Sequence, residues 1–124
     1  MKPLSFNFKE PQFQFNIAVK EARVADFNPA ITLLKDVIAN DPRNYNALVN
    51  LAQIYEYQMD WSSAIQLRKN IAVIDKFNQG NLLQLGLDQK ASGNITEAKK
   101  VIPLINAFAP NSAEAKRAAT ELGK

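Results

Sequence analysis

The sequence predicts an all-α solenoid of three helix pairs closed by a C-terminal capping helix, and three observations carry that prediction. The first is a fixed step of 34 residues, at which Ala30, Ala64 and Ala98 recur, as do Ile17, Leu51 and Leu85, and Ala18, Ala52 and Gly86. Phe27, Trp61 and Ile95 share the step, with Leu33, Leu67 and Val101, and with Val37, Ile71 and Ile105. The second is that apolar residues inside each step fall at helical spacing. The third is punctuation, a capping residue or a proline where helices must start or stop. A unit of this length cannot bury its apolar face alone and must stack on its neighbours, so the product is an extended surface.

Residues 1–10 are expected to be extended. Leu4-Ser5-Phe6-Asn7-Phe8-Lys9 alternates apolar and polar residues as a strand does, but no sheet is expected for it to join. It is expected to lie against the first helix, or to be the remnant of a preceding unit. The helical domain, residues 11–124, starts with a repeat over 11–44. Its first helix runs from Pro11 to about Ala25. Asp26 then precedes Pro29, a proline tolerated in a first helical turn because its missing N–H has no partner there.

The second repeat, 45–78, places Leu48, Leu51, Ala52 and Tyr55 on one helical face. Asp60 is positioned to cap its second helix, whose stripe is Ala64, Ile65, Leu67, Ile71 and Ile74. Asp41-Pro42 and Ala109-Pro110 mark joints, since proline disfavours helix at the residue before it. The joint between the second and third repeats has Lys76 in place of a proline, flanked by Asp75 and Asn78, and a break is still expected there.

The third repeat, 79–112, repeats the first face with Leu82, Leu85 and Gly86, turns at Gly93-Asn94, and continues from Ile95 to Phe108. Pro103 removes the bond to the Lys99 carbonyl, so a kink or early end is expected. Asn111 with Glu114 three residues on resembles a capping box for a last helix over 112–122. That helix is Ala-rich with charges along one side, as the cap of a solenoid must be.

Composition excludes much. The chain has 124 residues, 47% of them apolar, and a net charge of +3, with no cysteine and no histidine. Disulfides, thiolate metal sites and cysteine nucleophiles are therefore ruled out, and the commonest general base is missing. Lys and Arg occur at most as pairs such as Arg68-Lys69, which are solvated helix faces rather than a nucleic-acid footprint. No apolar run is long enough to span a membrane. Asp26 and Asp60 are helix caps rather than catalytic acids, and Gly80, Gly86 and Gly93 form no phosphate loop. No enzyme activity and no cofactor are expected.

The step and its small residues resemble the tetratricopeptide repeat, best in Leu48…Leu51-Ala52…Tyr55…Ala64…Ile71 and Leu82…Leu85-Gly86…Gly93…Ala98…Ile105…Pro110. Met59 and Ala25 replace the usual turn glycine, Arg68 an apolar residue and Lys76 a proline. The resemblance implies a right-handed α-α superhelix whose first helices line a concave, partner-binding face. Mapped onto this chain, that face comprises Gln12, Phe15, Asn16 and Val19, then Asn46, Val49, Asn50, Gln53 and Tyr57, then Leu83, Gln84 and Leu87. It is nearly uncharged, and Asn16, Asn50 and Gln84 hold equivalent places. An amide both donates and accepts, so such a ladder suits the main chain of an extended, weakly charged peptide.

The clamp with which some tetratricopeptide proteins hold acidic chaperone tails is not reproduced. Phe15, Val19, Gly80 and Gln84 stand where it needs Lys, Asn, Lys and Arg, and only Asn50 matches. Asp41-Pro42-Arg43-Asn44-Tyr45-Asn46-Ala47-Leu48 and Leu82-Leu83-Gln84-Leu85-Gly86-Leu87 are also similar to soluble tails of bacterial O-antigen ligase or polymerase-type membrane proteins. That resemblance implies an accessory domain facing the periplasm or envelope, whereas a natural start at Met1 implies a cytoplasmic module. Leu4, Phe6, Phe8 and Phe13 mark the N-terminal end as a candidate for self-association.

Overall fold

The computed structural model describes residues 26–123, and these form seven helices with no strand among them. The helices are α1 (Asn28–Asn40), α2 (Tyr45–Tyr57), α3 (Trp61–Ile74), α4 (Gln79–Ala91), α5 (Ile95–Lys99), α6 (Val101–Phe108) and α7 (Ala113–Leu122). The segment 1–10, expected to be extended, and the helix expected from Pro11 to about Ala25 lie outside the described residues. Consecutive helices pack on one another, and α4 packs against everything from α3 to α7.

Most of the helices start where the sequence supplies an acceptor. Asn44, Asp60, Asn78 and Asn94 cap α2 to α5, each accepting from the backbone N–H three residues on. Asp26 accepts from the Asn28 N–H at 2.9 Å, one residue ahead of the Phe27 cap position. The last helix corrects the expectation of a cap at Asn111: Ser112 is the capping residue, its Oγ accepting from the Ala115 N–H at 3.0 Å. Ser112 also donates to the Ala109 carbonyl at 2.8 Å, so one hydroxyl closes α6 and opens α7.

The break expected without a proline at Lys76 is present between α3 and α4. It is tied from both sides, because Asn78 also donates through Nδ2 to the Tyr45 hydroxyl at the start of α2. Pro103 acts as expected on the helix containing it, and the interruption falls at Lys100, between α5 and α6. The ring cannot coexist with a regular turn ending at the Lys99 carbonyl, so the chain tightens just upstream, where the Lys100 N–H reaches Glu97.

Two apolar clusters form the core. One joins Phe27, Ala30 and Leu34 to Ala47, Leu51 and Ile54, and the other gathers Leu82, Ala98, Val101, Ile105, Ala118 and Leu122. Of the position shared by Phe27, Trp61 and Ile95, Phe27 is buried, with its ring edge-on to Tyr57 at 5.4 Å, while Ile95 is exposed. The core reading of that position holds for Phe27 and not for Ile95.

The turns inside the second and third repeats show how the same geometry is met by different residues. Gly93 sits at φ 94°, and Met59, its counterpart, is held at φ 60°. A side chain at positive φ crowds the following carbonyl, and Met59 is 71% exposed and makes no compensating burial. Met59→Gly is expected to raise stability by ~0.5–1 kcal/mol, read as a higher urea midpoint. Gly86 is tight for a different reason: a Cβ there would lie 2.6 Å from Leu122 and 2.8 Å from Val101. Gly86→Ala should therefore lower stability by ~1–3 kcal/mol in the same titration, through overpacking.

Candidate functional site

The first helices of the second and third repeats, α2 and α4, carry the predicted partner-facing residues that are described. Gln12, Phe15, Asn16 and Val19 lie outside the described residues. Asn46, Val49, Gln53, Gln84 and Leu87 are half-buried and Tyr57 is exposed. Asn50 corrects the expectation that it lines the open groove, since it is fully buried, and neither its Oδ1 nor its Nδ2 has a hydrogen-bond partner. The Gln53 Oε1 is likewise buried and unpaired. Buried amides normally find partners, so these groups are an energetic debt in the free chain.

Leu83 corrects the expectation that it faces outward. It is buried in the cluster around Ile105 and Leu122, because α7 folds back on α4 and covers that side of the helix. Leu87 is partly drawn into the same cluster. Gln84, between them, points its Nε2 at the Asp88 Oδ1, 2.9 Å away.

Beneath these residues lies a polar cluster that the sequence reading noticed only as an irregularity. Arg68 stands where the repeat uses an apolar residue, and it is 7% exposed. Its Nε and Nη2 donate to the two oxygens of Glu56, each at 2.9 Å, a bidentate pair across the α2–α3 hairpin. Its Nη1 donates to the Asn81 Oδ1 at 3.2 Å, and Asn81 returns a bond to the Arg68 carbonyl at 2.9 Å. Asp88 completes the set, buried beside Glu56. Burial, followed by the hydrogen bond and the charge of Glu56, pushes the Asp88 carboxyl up to about 8, against the weaker pull of Gln84 and Arg68. The signal in the sequence was Arg68 itself, since a cation at an inward position implies inward carboxylates.

On another face a cleft of about 560 Å³ opens between α1 and α3, over Leu51 and Tyr55, with Lys35, Ser63 and Gln66 at its rim. Among the described residues no three acidic, histidine or cysteine side chains gather where they would hold a metal ion. No helix among them is long and apolar enough to cross a membrane.

Among solved structures, the second TPR domain of human RPAP3, determined in complex with the HSP70 peptide SGPTIEEVD, superposes with a TM-score of 0.72. The match covers 98% of both chains at 16% identity. The chain folds as a tetratricopeptide solenoid. A mutant of MamA is also similar, with a TM-score of 0.63 at 19% identity over 88% of this chain and 66% of that one. No family model and no curated protein matches the sequence. In this solenoid, a right-handed α-α superhelix, Arg68 replaces apolar packing with an ion pair inside the second repeat and hydrogen bonds to Asn81 of the third. Removing one partner of such a pair strands the other, so Arg68→Ala is expected to cost ~3 kcal/mol in chemical denaturation.

Proposed function

We propose that this chain is a non-catalytic interaction module that holds an extended, weakly charged peptide along the concave face formed by its first helices. The observation that carries the reading is the uncharged set of half-buried Asn46, Val49 and Gln53 on α2 with Gln84 and Leu87 on α4. The Asn46 and Gln84 amides, each able to donate and to accept, would meet the main chain of such a peptide. The peptide bound by the RPAP3 domain ends in Glu-Glu-Val-Asp, three of its last four residues acidic. Here the positions that would clamp an acidic tail include Gly80 and Gln84, which bring no positive charge, so a peptide of low charge suits the face better. Val49, Leu87 and Tyr57 would take its apolar side chains.

The runs that resemble O-antigen ligase-type tails have complete roles within the repeat. Asn44 caps α2, Ala47 and Leu48 are buried under it, and Leu82, Leu85 and Gly86 are core residues of α4. They give an accessory role in a membrane enzyme no support beyond the fold itself, and the interaction module is the reading we adopt.

The test is selection from a displayed library of unstructured peptides, followed by titration of a selected peptide against the chain and its variants. Asn46→Ala and Gln84→Ala are each expected to weaken binding by ~5- to 10-fold, the worth of about one hydrogen bond. Circular dichroism and thermal unfolding would confirm that both variants keep the fold. Affinity unchanged in two folded variants would remove the amide ladder from the site.

A further inference from the structure

We propose that the joint between the second and third repeats is a proton-sensitive latch, in which a proton on Asp88 bridges its carboxyl to Glu56 and loss of that proton loosens α4 from α3. Counting charges leads there. Two carboxyls meet a single guanidinium, and Glu56 takes two of its bonds while Asn81 takes a third. Asp88 is 1% exposed, so water cannot solvate it as an anion. Its Oδ1 accepts from Gln84, and its Oδ2 has no partner other than a carboxyl that is already an acceptor from Arg68. A proton on Asp88 turns that clash of acceptors into a hydrogen bond to Glu56.

The charges on the surrounding elements leave this balance in place. Glu56 from α2 and Arg68 from α3 are the charged groups that act on Asp88. Lys90, on the next turn of α4, is engaged with the Glu121 carbonyl of α7 at 2.7 Å. The Glu121 carboxylate is held by Arg117, and at the other end of the joint Glu97 pairs with Lys100.

The direction of the pH effect follows. An unfolded Asp88 releases its proton near 3.8, and the folded chain keeps it to about 8. The contribution of this group is therefore fully present below the lower value and is lost as pH rises through the upper one. The consequence for binding rests on the peptide reading, because Gln84, a proposed peptide contact, is positioned by Asp88.

Thermal unfolding of the chain and of Asp88→Asn, from about pH 5 to about pH 9.5, tests the latch without any peptide. Asn keeps the shape of the neutral acid and its donor but cannot ionise. The melting temperature of the unaltered chain is expected to fall relative to that of Asp88→Asn by ~5 °C or more across this range. Parallel curves for the two would overturn the latch. Should Asp88→Asn fail to fold, carbon-13 titration of the Asp88 carboxyl in the unaltered chain decides. A midpoint near neutral or above, with the Gln84 amide resonances following it, supports the latch, and a midpoint in the ordinary carboxylate range overturns it. Either result leaves the peptide reading standing, and a failed peptide titration leaves the latch standing.

Discussion

The spacing at which α4 meets the helices that follow it constrains the whole C-terminal half of the molecule. Gly86 faces Leu122 of α7 and Val101 of α6 so closely that its single hydrogen is the only substituent that fits. Ala98 stands against the same helix, and the cluster of Leu82, Ile105, Ala118 and Leu122 closes around the contact. Small residues let backbones approach, and close backbones let large residues on either side interdigitate. The position of α4 in turn sets where its opposite face lies, and that face carries Asn81, Gln84 and Asp88.

On that opposite face the chain replaces oil with charge. An apolar residue at the position of Arg68 would seal the joint between repeats without polar accounting. Arg68 instead commits Glu56 and Asn81 to fixed geometry, with every guanidinium nitrogen occupied by a neighbour from the adjoining helices. Such a network adds little net stability over an apolar core but penalises any displacement of one helix against another. It makes the joint specific in register and sensitive to protons, where a leucine would make it neither.

The concave face inherits both constraints. Gln84 reaches the surface from a helix pinned by Gly86 on one side and tied through Asp88 on the other. Asn50 lies buried on α2 with its amide unsatisfied, a local cost that the rest of the fold sustains. Buried polar groups left unpaired are few in a well-packed protein, and packing elsewhere must offset each of them.

Among the described residues the helices, most of their caps and their joints were legible, because they depend on local rules: a repeating apolar face, an Asn or Asp at most starts, a proline or a substitute for one at the joints. The 34-residue step also made the stacking of unit on unit legible, since identical positions must meet identical neighbours. What periodicity does not carry is which side of a helix a later element will cover. Leu83 was assigned to the open face on its repeat position, and α7 folding back on α4 buried it. Ser112 displaced Asn111 as the cap because a one-residue shift lets one hydroxyl serve two helices. The cluster of Glu56, Arg68, Asn81 and Asp88 brings together residues from three helices. Sequence alone determined that a cation stands where the repeat keeps an apolar residue; only tertiary packing decided that it is buried and which carboxyl meets it, because that depends on the angle and height at which one helix docks on the next.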